Sequence, residues 1–216
     1  MKLKRNLFSS PLCFVVNMVM VCVVYEICRL VFLATNWSMF SEAITWSSFW
    51  EITRGGLMFD TSAILYTNAL YALLMLFPIH YKETAIYQKI AKWVFLVCNS
   101  ICVVANLADC VYFKYTIRRT TITVFSEFQN ENNLGSIFGA EVINHWYLVV
   151  IGILLIVGMW YLYRMPNGQI PVQISKPYKA KGMAEYYVLQ AIFLAIFVPL
   201  CVAGIRGGFT TAVRPI

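Results

Sequence analysis

The sequence predicts an all-α, polytopic membrane protein: five transmembrane helices with one or two interfacial helices on the outer face, N-terminus inside and C-terminus outside. Three observations carry this prediction. The chain is 60% hydrophobic and 12% charged, with a mean hydropathy of +0.69, whereas soluble domains carry about 25% charged residues. Five apolar runs, at roughly 12–35, 57–79, 93–113, 146–163 and 186–205, approach the ~20 residues a helix needs to cross about 30 Å of hydrocarbon. The charges fall between these runs, as membrane topology requires, rather than along one phosphate-binding face, so a net charge of +7 does not point to nucleic acid.

Each run is expected to be helical, because lipid offers no partner to an unsatisfied backbone amide. The first run follows the basic stretch Met1 to Arg5. It is too long for the apolar region of a signal peptide and lacks a small-residue cleavage site, so it reads as a retained span. With the N-terminus inside, the inner segments hold Lys2, Lys4, Arg5, Lys82, Lys89, Lys92, Arg164, Lys176, Lys179 and Lys181. The outer segments hold only Arg54, Lys114, Arg118, Arg119, Arg206 and Arg214, with Arg29 inside the first span. This bias favours the N-in orientation, and an odd number of spans puts the C-terminus outside. Trp37, Trp93, Tyr112, Tyr115, Trp146, Tyr186 and Tyr187 stand at span ends, where aromatic anchors collect.

Two outer segments read as more than linkers. In residues 37–56, Phe40, Ile44, Trp46, Phe49, Trp50 and Ile52 follow a roughly helical pattern that Gly55-Gly56 is expected to break, which suggests a helix lying in the interface. In residues 116–145, Phe125, Phe128, Leu134, Ile137 and Phe138 suggest a second such helix, with a joint around Asn130 to Asn133.

Ionisable side chains inside spans cost enough to call for partners or a function. Glu26 and Arg29, three apart, read as a structural ion pair on one helix. Asp60 opens the second span, with Thr67, Asn68 and Tyr71 near its face, and Asn99, Cys102, Asn106 and Asp109 form a polar stripe on the third that should face the bundle interior. Interhelical hydrogen bonding accounts for the asparagines. Asp60 and Asp109 lie at headgroup depth, in the layer that also receives Arg54, Arg118, Arg119 and Arg206. Because a guanidinium binds phosphate bidentately, that layer is a candidate phospholipid headgroup site, with snorkelling arginines as the plainer alternative.

The catalytic inventory is nearly empty. His80 and His145 stand at opposite span ends, and no zincin, nucleophile-elbow, phosphate-loop or dinucleotide-binding pattern occurs. Thr120, Thr121, Thr210 and Thr211 lack an evident activating base or metal. The seven cysteines lie in apolar runs without paired spacing, as small buried hydrophobes do.

Several stretches resemble one family. Gly56-Leu57-Met58-Phe59-Asp60-Thr61-Ser62-Ala63 opening span two, Arg118-Arg119 after span three, and Arg206-Gly207-Gly208 followed by Arg214-Pro215-Ile216 are similar to the N-terminal membrane domain of the lipoteichoic acid synthase and phosphoglycerol transferase family, within the alkaline phosphatase and sulfatase superfamily. The resemblance implies that residues 1–205 are a membrane domain and 206–216 the start of a connector to an extracytoplasmic catalytic domain. That domain would hold the threonine nucleophile, a divalent metal such as manganese, and the pocket for phosphatidylglycerol. No catalytic or metal residue is therefore carried over to this chain; Arg118, Arg119 and Arg206 are expected to attract the phosphate of an anionic phospholipid at the outer leaflet of a bacterial-type plasma membrane, and Asp60 and Asp109 to orient arginines or accept hydrogen bonds from glycerol hydroxyls. The rival expectations are a membrane scaffold that recruits partners through its interfacial helices and, behind it, a small transporter.

Overall fold

The computed structural model describes residues 9–41, 45–79, 82, 84–120, 124, 134–166 and 180–206, and no strand occurs among them. Helix α1, Ser9–Thr35, is followed by a single turn, α2, Trp37–Phe40. Next come α3, Trp46–Thr67, and α4, Ala69–Leu76, then the long α5, Ala85–Thr116. Helix α6, Leu134–Asn144, leads into α7, Trp146–Leu162, and α8 covers Ala180–Arg206. Helices α1 and α5 are each long and apolar enough to cross a membrane, and α3 with α4 makes a third such span if the bent pair counts as one. Helix α7 and the Gln190–Ile205 part of α8 are shorter apolar helices.

The core follows from helical spacing. On α1, Phe14, Met18, Val21, Tyr25, Cys28 and Phe32 recur at alternating steps of four and three and are all buried, a narrow stripe suited to packing along a neighbouring helix. They meet the matching stripe of α5, Ala91, Phe95, Val103, Leu107 and Cys110. The opposite faces carry Leu12, Val16, Val19 and Val23 on α1 and Ile90, Val97, Ile101 and Val104 on α5, all exposed. An apolar exterior around an apolar core is what a lipid solvent selects.

The largest departure from the sequence expectation concerns residues 37–56. Gly55-Gly56 does not end a helix; α3 starts earlier, at Trp46, and runs through both glycines to Thr67. Its start is set by a capping box, in which Thr45 Oγ1 accepts from the Ser48 amide and Ser48 Oγ accepts from the Thr45 amide at 2.8 Å. Gly56 is needed for another reason: a Cβ there would run into the Arg29 guanidinium. The glycine buys close approach between helices rather than a break.

The second departure is a bend of 65° between α3 and α4. It falls at Asn68, whose side chain is wholly buried, donates to Ile64 O at 2.9 Å and exchanges amide hydrogen bonds with Asn99 of α5 at 3.0 and 2.8 Å. An asparagine that satisfies both its own turn and a partner helix can hold a broken span inside an apolar bundle.

At one end of the bundle, Asn17 of α1 holds the Arg164 amide and carbonyl at 2.9 and 3.0 Å and donates to the Tyr71 hydroxyl at 2.8 Å. Tyr163 donates to the same hydroxyl at 3.3 Å. Lys82 is here too. It is fully buried, with its ammonium on Gln190 Oε1 at 2.7 Å, so it ties the α4 to α5 connection to α8 rather than standing free at the surface. The start of α1, the end of α4, the end of α7 and the middle of α8 thus meet at this end. All seven cysteines are free, with Cys28 and Cys110 buried.

Candidate functional site: an arginine and carboxylate layer

The other end of the bundle gathers most of the ionisable groups singled out in the sequence. Arg29 lies between two carboxylates, pairing with Glu26 on its own helix and with Asp60 on α3. Its Nη1 also points at Thr53 O, at 3.4 Å. Its side chain is 10% exposed, and the bare backbone at Gly56 makes room for the guanidinium plane. Glu26 and Arg29 pair as their spacing predicts. Asp60, however, finds its cation on α1, and not on the arginines of the loops.

The second half of the layer is built by a reversal of the chain. Helix α5 ends at Ile117, which has φ of 54°, in the left-handed region that β-branched residues avoid. That turn folds residues 118–120 back against α5. The Thr120 amide donates to Asp109 Oδ1 at 2.7 Å, and Arg119 Nε reaches Asp109 Oδ2 at 3.5 Å. The Arg119 guanidinium also lies 4.9 Å from the Phe32 ring centroid on α1, a cation–π contact. Asp109, almost buried, therefore holds the loop that carries Arg119.

Three carboxylates thus face two guanidiniums, and the two arginines differ in what they can still do. Arg29 is enclosed and committed to its partners, a structural tie between α1 and α3. Arg119 keeps 52% of its side chain exposed beyond its contact with Asp109, and it alone of the pair can meet a soluble or lipid-borne anion.

Of the remaining predicted residues, Arg118 is exposed, with its backbone carbonyl accepting from Thr116 Oγ1 at 3.0 Å. Arg206 ends α8, whose last turn is tied to α3 where Ser62 donates to Ile205 O, but its side chain lies outside the described residues. So do His80, Thr121, Thr210, Thr211, the joint at 130–133 and the connector from 207 to 216. Asn99 and Asp109 of the polar stripe are buried, with Cys102 and Asn106 half-buried, so the stripe faces inward as expected.

A separate polar contact flanks the layer. Lys114 Nζ lies 3.3 Å from His145 Nε2, while Glu141 is 3.2 Å from His145 Nδ1 and accepts from the Tyr115 hydroxyl at 2.8 Å. The sequence reading missed this link between α5 and the start of α7, and it missed Asn36, which donates to Cys110 O at 3.2 Å. Among the described residues, no three His, Cys, Asp or Glu side chains gather as a metal site, so no residue here is assigned to the divalent metal that the family resemblance implies. No family model, curated protein or solved structure matches this chain.

Proposed function

We propose that this chain is the membrane domain of a lipoteichoic acid synthase-like phosphoglycerol transferase, and that it presents an anionic phospholipid headgroup at the outer leaflet to a metal-dependent catalytic domain following residue 216. The reading takes five spans, N-in and C-out, from the charge bias of the loops. The observation that carries it is Arg119: a half-exposed guanidinium, set by the Ile117 turn and braced by Asp109 and Phe32. A guanidinium already oriented by a carboxylate and an aromatic ring loses little freedom on gripping a phosphate. Arg118 and Arg206 would add to the local positive potential. Asp109 acts as a positioning residue, and Asp60 with Glu26 fixes Arg29 so that α1 and α3 keep the layer in register.

The test uses the complete natural gene product. Arg119→Ala should lower turnover of a phospholipid substrate in membranes about tenfold, the worth of a charge-assisted hydrogen bond of roughly 1.5 kcal/mol, while leaving hydrolysis of a soluble chromogenic phosphodiester unchanged. Equal loss on both substrates, or loss on neither, would sink the presentation role.

One observation favours the scaffold reading. Trp46 stacks on Phe49 and Trp50 meets both edge-on, with centroids 6.0 to 6.1 Å apart, and Trp46 and Trp50 are exposed. An aromatic group at the head of α3 suits a protein partner as well as the membrane interface. Under the scaffold reading, Trp46→Ala with Trp50→Ala abolishes co-purification of a partner from native membranes; under the presentation reading it does not.

A further inference from the structure

Helices α1 and α7 approach each other without closing. Two open hollows, of about 320 and 390 Å³, lie in the seam between them. The α1 wall is Met20, Val23, Val24, Ile27, Val31, Ala34 and Thr35, spaced by threes and fours along one face. The α7 wall runs in the opposite sense through Tyr147, Ile151, Leu154, Gly158 and Leu162. The hollows are therefore consecutive along one seam, the second a helical turn beyond the first. From Met20 to Thr35 it extends about 22 Å at 1.5 Å per residue, more than the ~15 Å depth of one leaflet's hydrocarbon. Arg29 leaves α1 on the other side, so this groove is not part of the arginine and carboxylate layer.

We infer that the α1/α7 groove is a lipid site that takes one acyl chain of an anionic phospholipid lengthwise, with the headgroup beside Lys114. Two features select this occupant. The groove is apolar along its length and gains hydroxyls only at the Thr35 and Tyr147 end, the polarity of a single phospholipid chain. A cation stands at that end: the His145 ring centroid is 6.0 Å from that of Tyr147, and Lys114 Nζ is 3.3 Å from His145 Nε2. Glu141 lies 3.2 Å from His145 Nδ1, which leaves Nε2 as the acceptor for Lys114, so the ammonium keeps two N–H groups for a phosphate. The site does not depend on the presentation role, and its failure would leave that role standing.

Gly158 provides the means of testing it. A Cβ at Gly158 would meet nothing within 4 Å, so a large side chain there fills the groove without crowding the core. The full chain, delipidated in mild detergent, is titrated with phosphatidylglycerol and phosphatidylcholine and examined by native mass spectrometry. The expected result is one retained phosphatidylglycerol, retention reduced at least tenfold by Gly158→Phe, and a preference over phosphatidylcholine that disappears in Lys114→Gln. Retention by Gly158→Phe equal to the parent protein overturns the site. A second measurement on the unaltered chain covers a variant that does not fold. Phosphatidylglycerol with a photoactivatable group midway along one acyl chain should crosslink to the Val23, Ile27, Leu154 and Gly158 wall, whereas labelling spread over all exposed apolar faces overturns the proposal.

Discussion

Arg29 does at the scale of a single residue what the bilayer makes hardest: it places a full charge among apolar helices and pairs it on both terminal nitrogens. Two carboxylates and a backbone carbonyl surround it, and Gly56 gives up a side chain so that the guanidinium can lie against α3. Removing one member of a buried ion group leaves the others charged and stranded, at a cost of about 3–5 kcal/mol. Arg29→Met should therefore destabilise the bundle by that order in a detergent unfolding titration. The same substitution combined with Glu26→Gln and Asp60→Asn should cost far less, because no orphan carboxylate remains; equal costs would contradict the paired arrangement. Gly56→Val should cost about 1–3 kcal/mol by overpacking, read in the same titration, while Gly55→Val, where a Cβ meets nothing within 4 Å, should cost clearly less.

Among the elements, the α3/α4 pair shows most clearly how a polar residue sets geometry in lipid. The Asn68 amide closes the last turn of α3 and reaches across to Asn99, so the 65° bend is anchored by its partner helix. Asn99→Leu strands the Asn68 amide in an apolar interior and should cost about 1–2 kcal/mol, the range for interhelical hydrogen bonds in membranes. Pairing it with Asn68→Leu should recover part of that loss, as a thermal unfolding series of single and double variants will show. The polar stripe on α5 was legible from sequence because helical spacing put Asn99 and Asp109 on one face. Its partners were not, since which helix supplies them depends on packing that periodicity does not encode. Gly55-Gly56 shows the opposite failure: glycine reads locally as a breaker, but here the approach of Arg29 decides, and the helix continues. Lys82 likewise reads as an inner-loop charge, and only the path of α8 brings Gln190 to cover it.

At the scale of the molecule, composition and run length made the helical membrane character legible, and the described residues form a helical bundle with an apolar exterior. They place four of the predicted charged groups, Glu26, Arg29, Asp60 and Asp109, together with Arg119 at one end. The reversal at Ile117 that delivers Arg119 has no sequence signature, because nothing about isoleucine announces a left-handed turn. The N-in, five-span arrangement predicts that reporter fusions at residues 45 and 130 report the outer side and fusions at 83 and 170 the inner side; any exchange between these groups would contradict it. The function proposed for the chain is that of a membrane domain serving a catalytic domain elsewhere in the natural protein. The most direct test is the mass of the natural gene product, detected in its own membranes with an antibody against residues 176–185. A species heavier than 24.8 kDa by a whole domain is the predicted result, and a product of 24.8 kDa would contradict the account.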